Sequence, residues 1–422
     1  MNKYISDFMK IYKEISKTYN KQLPLCAAEN IMSDFVKLPL STSLQEKYLL
    51  GSAAFYDDRN NFLGSEKLFP LYELISEECH QLFNSQYAEA RTLSGLNAIL
   101  TILMSIFDYG DKLLITSIEC GGHSSLELFC KRLGLKTDYI PYDYKALDFN
   151  YEKVNYMLDS GDYKGIVICL SDIAFEPDIK KLSLPYNCTL IYDITQTMGL
   201  IAGKVNNNPF NYFKDNENVI ILGATHKTLP GPTCGLIMTR NPELSSKFDN
   251  KVNPDYLRNI QLHQIASLIL TLAEFNEFGE DYSSAIINNS ECLGQALSNY
   301  GFDVIKKNNI FSNTHQLFIS TQKNKITSED CAKFGISLNF RNKPIYKGEG
   351  IRIGVQEITR FGYRNAEMEE IAYILYQISK DNYNSEEIFN LINSLTNKRK
   401  LSFCFNSYDF NNLKLFLHNN KF

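Results

Sequence analysis

The chain has 422 residues, 44% of them hydrophobic and 22% charged, with 43 Lys and Arg against 48 Asp and Glu. A composition this close to the globular average excludes wholesale disorder, a collagen-like repeat and a small disulfide-stapled scaffold. The net charge of −5 excludes a general grip on nucleic acid, so an anionic ligand must be held by local groups.

Residues 4–20 carry Ile5, Phe8, Ile11, Tyr12 and Ile15 at helical spacing, which predicts an amphipathic helix closed by Pro24. The first residues, Met1 to Asp7, lack the basic and then apolar build of a signal peptide, and no apolar run approaches the ~20 residues that span a bilayer. A cytoplasmic protein without a membrane partner is expected. Helices are predicted over Leu71–Phe83 and Gly95–Phe107. Compact apolar runs follow at Lys112–Thr116, Gly165–Leu170, Thr189–Tyr192, Val219–Leu222 and Gly235–Thr239. They do not alternate, as strands covered on both faces do not, and helical stretches separate them, so a largely parallel α/β sheet is expected. A helix is predicted over Gln261–Phe278. A smaller α+β region comes next, with strands at Asp303–Ile305, Gln316–Ile319 and Ile351–Ile353, and then a helical tail. The expected division is a helical arm over 1–30, a large domain over 31–280, a small domain over 281–381 and the tail over 382–422.

No two of the ten cysteines form a Cys-x-x-Cys pair, so no metal ribbon or redox motif is expected. Their scatter through runs such as Ile168-Cys169-Leu170 suits reduced, buried thiols. No Walker-type loop and no Gly-x-Gly-x-x-Gly opens a helix after a strand.

Chemistry gathers instead at strand ends. Lys227 in Thr225-His226-Lys227-Thr228 follows the run Val219–Leu222, and Asp193 closes the run Leu190-Ile191-Tyr192. Ligands of open α/β sheets collect at that edge. An isolated lysine there is most often a surface loop residue, and an isolated Asp most often a helix cap. A lysine and a carboxylate on neighbouring strand ends are what pyridoxal 5'-phosphate (PLP) requires, the amine as Schiff-base partner and the acid to keep the pyridine ring protonated. Other parts agree. Ser94-Gly95 opens a helix whose N-terminus suits a phosphate. His123 in Gly121-Gly122-His123 is the candidate to lie on the ring, and Ser171 to reach a ring hydroxyl. Arg352 in Gly350-Ile351-Arg352-Ile353-Gly354 sits mid-strand among apolar residues, where its planar fork suits a substrate carboxylate.

Over about residues 5–380 the chain resembles the serine hydroxymethyltransferase family of fold-type I PLP enzymes. The resemblance rests on Leu25-Cys26-Ala27-Ala28-Glu29-Asn30, Lys47-Tyr48, Gly121-Gly122-His123, Tyr192-Asp193, Thr225 to Pro232 and Gly350 to Gly354. It implies a large domain with a mostly parallel sheet plus a smaller C-terminal α+β domain, and a homodimer with shared sites. It also implies Lys227 as Schiff-base lysine, Asp193 as pyridine partner, His123 on the ring, Ser171 near its hydroxyl, Arg352 on the α-carboxylate and Tyr48 at the shared site. His226 and Gln196 fall in the cofactor-binding motifs.

The departures lie at the substrate end. The glutamate that serves folate-dependent transfer in the family aligns with Leu50, and leucine cannot move a proton. Gln196 replaces the family histidine after the aspartate, Ala28 a serine and Leu96 a serine of the phosphate turn; Tyr56 is the candidate for a second active-site tyrosine. His123, titrating near neutrality, is a candidate base for a β-hydroxyl proton. The expected activity is making or breaking the Cα–Cβ bond of a β-hydroxy-α-amino acid of the glycine, serine or threonine type, with an aldehyde and without tetrahydrofolate. The alternatives are folate-dependent glycine hydroxymethyl transfer, another PLP reaction on an amino acid (racemisation, decarboxylation or transamination) and a non-catalytic partner protein.

Overall fold

The computed structural model describes residues 2–50, 64–214 and 216–421. They group into two compact units, one of residues 29–284 with 403–422, the other of residues 1–28 with 285–402. The N-terminal helix therefore counts with the C-terminal unit, and the tail is divided between the two. That helix, α1 (Lys3–Lys21), is capped by the Asn2 side chain, which accepts the Tyr4 N–H at 2.9 Å. None of its residues is buried.

The larger unit is built on seven strands in the order β1 (Tyr87–Glu89), β7 (Gly235–Thr239), β6 (Val219–Ala224), β5 (Thr189–Asp193), β4 (Tyr163–Cys169), β2 (Lys112–Ile115) and β3 (Lys136–Tyr139). From β6 to β3 all neighbours are parallel, while β7 and β1 close the other edge antiparallel. The apolar runs read from sequence are the interior strands and β7. The two strands missing from that reading, β1 and β3, lie at the edges. There one side of the strand lacks a neighbour, and polar residues such as Lys136 and Asp138 are tolerated. Helix α2 (Pro70–Phe83) precedes β1. Helix α3 (Gly95–Ile106) lays Ala98, Ile99, Ile102 and Leu103 onto Leu113, Val167, Ile191, Ile220 and Ile237 of the sheet, and α4 (Ser124–Arg132) adds Leu126 and Cys130.

Helix α5 (Leu262–Asn299) is far longer than the 261–278 segment expected. Polar residues beyond Phe278 read as a helix end, but several lie on its buried face with their groups satisfied. The Ser283 hydroxyl donates to the Gly199 carbonyl at 3.1 Å, and the Asn289 amide donates to Thr359 Oγ1 at 2.8 Å. Hydrophobic periodicity cannot see a buried face made of paired polar groups.

The smaller unit carries an antiparallel sheet in the order β8 (Asp303–Val304), β9 (Gln316–Ser320), β11 (Gly348–Gly354), β10 (Asn339–Lys343). Helices α6 (Asn365–Ile378) and α7 (Ser385–Asn397) follow, and α7 buries Ile388, Ile392 and Leu395. The final helix, α8 (Ser407–Asn419), belongs to the larger unit and buries no residue.

At the sheet edge the buried Arg91 is clamped between two acids. Its Nε donates to both Glu89 carboxylate oxygens at 2.9 Å, and its Nη2 reaches both Glu89 and Asp249. Removing the cation would leave two carboxylates facing each other in a desolvated site, which typically costs about 3–5 kcal/mol. Arg91→Leu is expected to lower unfolding free energy by that order in urea titrations. An unchanged midpoint would show that the edge does not depend on the cluster.

Candidate active site

Because β2 to β6 run parallel, their C-terminal ends meet at one edge of the sheet. Asp193 is the last residue of β5, level with Cys169 on β4 and Leu222 on β6. Its carboxylate is held on two sides. Oδ1 accepts the Thr195 N–H at 2.8 Å and Oδ2 accepts the Cys169 thiol at 3.1 Å. Thr195 in turn accepts the Ala224 N–H at 2.9 Å, tying this turn to the end of β6.

Lys227 follows β6 in a loop closed on itself and on its neighbours. Within it, Thr225 Oγ1 donates to the Pro232 carbonyl at 2.6 Å, and the Gly231 N–H to the Thr225 carbonyl at 2.8 Å. Thr228 Oγ1 donates to the Gln196 carbonyl at 2.9 Å and accepts the Gly199 N–H at 3.0 Å. Asn30 donates its amide to the Lys227 carbonyl and, at 2.9 Å, to the Tyr282 hydroxyl. Lys227 itself is half-buried, and its charge bears on the Cys169 thiol and on His226.

His123 caps α4. Its backbone N–H donates to the Cys169 carbonyl at 2.9 Å, and its Nδ1 accepts the Ser125 N–H at 3.2 Å. That bond places the neutral ring's proton on Nε2. Neutral His123 is therefore a donor at Nε2, suited to polarising an oxygen. Gly121, at φ +102°, accepts the N–H groups of Ser171 (2.8 Å) and Asp172 (3.1 Å), and a Cβ on it would stand 2.4 Å from the Asp172 carbonyl oxygen. Ser94 caps α3, accepting the Asn97 N–H at 3.2 Å. A Cβ on Gly95 would stand 2.8 Å from the Ala224 nitrogen, so glycine lets the N-terminus of α3 settle against the end of β6.

Ser94, Gly95, His123, Ser171, Asp193, Gln196, His226 and Lys227 thus all stand on the strand ends or turns of one unit. The donor set fits PLP: a helix N-terminus for its phosphate, a carboxylate for its ring nitrogen and an amine for its aldehyde carbon. One further observation agrees. His226 Nδ1, beside Lys227, is buried without a hydrogen-bond partner among the described residues, as a ligand contact would leave it.

Tyr48 is half-buried in the same unit, after the turn Ser43–Glu46. Leu50 is 5% exposed. Tyr56 lies outside the described residues. Arg352 lies in β11 of the smaller unit, 3% exposed, with Nη2 and Nε donating to Asn339 Oδ1 at 2.8 and 3.3 Å. Sequence reasoning missed the supporting residues Cys169, Thr195, Thr228 and Asn339. Only Cys169 left a signal, as a polarisable residue closing a buried strand level with Asp193.

Two buried groups have opposite pH dependences. Burial, then the Lys227 charge, lowers the His226 pKa to about 4. Between about 6.5 and 4 the unfolded chain binds a proton the native one refuses, so this group's contribution falls as pH falls. Burial pushes the Glu176 carboxyl up to about 7 from 4.5, against hydrogen bonds from Asn206 and Thr197. Its contribution falls as pH rises through that window. In the protein without PLP, Glu176→Gln is expected to make stability rise more steeply from pH 4.5 to 7, by at most about 1.4 kcal/mol per pH unit. Urea midpoints at four pH values check this, and parallel curves for wild type and variant would refute it. Thr228→Val orphans the Gly199 N–H and Gln196 carbonyl and is expected to cost about 1–3 kcal/mol, whereas Thr228→Ser retains both bonds. Equal urea midpoints for the two variants would contradict this role.

The serine hydroxymethyltransferase family model matches residues 1–375. Relatives include serine hydroxymethyltransferase of Picrophilus torridus, 32% identical over 390 residues and 88% of each chain. That of Methanobrevibacter smithii is 29% identical over 397 residues, 91% of this chain and 92% of the other. Among solved structures, L-threonine transaldolase from Pseudomonas fluorescens, in its internal aldimine state, is similar in fold with a TM-score of 0.90, covering 99% of this chain and 97% of that one at 22% identity. The strand-end cluster thus sits in a fold-type I PLP-dependent enzyme acting on amino acids, and the chain belongs to the serine hydroxymethyltransferase family.

Proposed function

We propose that this enzyme makes or breaks the Cα–Cβ bond of a β-hydroxy-α-amino acid, exchanging an aldehyde without tetrahydrofolate. The observation that carries the reading is Leu50. The position of the family's folate-serving glutamate is occupied by a buried hydrocarbon that neither accepts nor donates a proton.

When bound, PLP supplies the electron sink for the bond broken at Cα. The chain's own residues do the rest. Asp193, fixed by Thr195 and Cys169, holds the proton on the ring nitrogen. The N-terminus of α3 at Ser94-Gly95 and the half-buried His226 hold the phosphate, while Ser171 and Gln196 border the ring. Lys227 supplies the anchoring amine and a proton carrier. Arg352, its plane set by Asn339, pairs with the substrate α-carboxylate. Nε2–H of His123 donates to the aldehyde oxygen, which gains negative charge as the carbon–carbon bond forms. Tyr48 and Tyr56 are assigned to the substrate, in sites shared within a homodimer. The exposed apolar side chains of α1, among them Ile5, Phe8 and Ile11, support that assembly by leaving a face for a second copy to cover.

Purified protein supplied with PLP is expected to show the visible band of lysine-bound cofactor, which Lys227→Ala abolishes. It is expected to release aldehyde from threonine-type substrates at the same rate with and without tetrahydrofolate, and Lys227→Ala to lower that rate by about 10²–10⁴-fold. No band in the wild type would overturn the cofactor assignment, and strict folate dependence would overturn the folate-free reaction.

A further inference from the structure

Cys169 touches both His123 and Asp193, two residues of the strand-end cluster. Its backbone carbonyl accepts the His123 N–H at 2.9 Å, and its thiol donates to Asp193 Oδ2 at 3.1 Å. The backbone is itself pinned. Thr116 Oγ1 donates to the Cys169 carbonyl at 3.1 Å and accepts the Cys169 N–H at 3.2 Å. The side chain lies in the apolar cluster under α3, alongside Val167, Ile191 and Leu222, so it has no rotational freedom to spare. With Thr195 N–H on Oδ1, the thiol completes a two-point grip on the carboxylate.

We propose that Cys169 is a positioning residue: its S–H orients Asp193 and thereby sets how firmly the PLP ring nitrogen is held protonated. This rests on the PLP reading above and deepens it, turning the contact of Cys169 with Asp193 into a role in how firmly the cofactor is held. The chemistry suits a thiol. Burial and the neighbouring carboxylate push its pKa well above the ordinary thiol range, so it remains an S–H donor and never a competing anion. A thiol is also a weak donor. It fixes the direction of the carboxylate while leaving most of its negative charge for the ring N–H, where a stronger donor would neutralise more of it. Sulfur additionally fills the space at the strand end that an oxygen of the same connectivity would leave partly empty.

The test compares Cys169→Ala, which removes the donor without adding bulk, with Cys169→Ser, which keeps a donor in a smaller atom. Three quantities are read: the dissociation constant of PLP from the reconstituted enzyme, the pH at which the visible band of the lysine-bound cofactor titrates, and the melting temperature of the PLP-free protein. Cys169→Ala is expected to weaken PLP binding about tenfold, the value of one buried hydrogen bond to a charged group reduced for a weak donor. Its band is expected to titrate at higher pH, because a ring nitrogen that is less firmly protonated repels the positive charge of the protonated Schiff base less. Cys169→Ser is expected to stay within about threefold of wild type in affinity and close to it in titration, with both melting temperatures similar. Affinity and titration unchanged in Cys169→Ala would overturn the proposal. So would equal losses in both variants, which would assign the effect to packing volume. A wild type that binds no PLP would instead overturn the cofactor reading, an outcome the wild-type spectrum reveals before either variant is made.

Discussion

A carboxylate at the end of a buried strand is the constraint around which the larger unit is arranged. Asp193 is half-buried at the end of β5, next to the buried Tyr192, and both its oxygens are bonded. The two donors it has come from different directions. The Thr195 N–H requires the chain to turn sharply after β5, and that turn is anchored by the Ala224 N–H on Thr195 Oγ1. The Cys169 thiol requires β4 to lie in register beside it. Satisfying one carboxylate thus fixes the ends of β4, β5 and β6 relative to one another, and Lys227 follows directly from the last of these. The amine and the acid are brought together by strand register more than by attraction between them.

The same economy explains why so much of the larger unit was legible in the sequence. Interior strands had to be continuous apolar runs, and the residues that interrupt the pattern at their ends, Asp193, Ser171 and Lys227, had to have a reason for being there. The resemblance then rested on short motifs at those ends. The edge strands β1 and β3 were missed because an edge tolerates polar residues, and the second half of α5 was missed because Ser283 and Asn289 are buried with their polar groups paired. Thr228 and Asn339 were invisible for a related reason. Their significance lies in partners distant in sequence, the 196–199 turn for one and the guanidinium of Arg352 for the other, and no local pattern announces such a bond.

The smaller unit poses the problem of Asp193 with the charge reversed. Arg352 lies on β11 with apolar neighbours in Ile351 and Ile353, and β10 places Asn339 directly opposite it. An amide oxygen there orients the guanidinium without neutralising it. A carboxylate at 339 would hold Arg352 more tightly and neutralise its charge. The polar, alternating character of β10, which hid it from the sequence reading, follows from its place at the sheet edge.

Stability also separates the two ends of the site. Replacing Asp193 with an apolar residue would orphan the Thr195 N–H and the Cys169 thiol and remove the partner expected of the ring nitrogen, so binding and folding would suffer together. Leucine at position 50 has no such cost. The side chain is almost fully buried, a charged carboxylate there would need desolvation and a partner, and a hydrocarbon needs neither. The fold therefore resists change at Asp193 and permits it at position 50. A chain of this family can thus carry leucine at position 50 with the strand-end cluster around Asp193 and Lys227 intact.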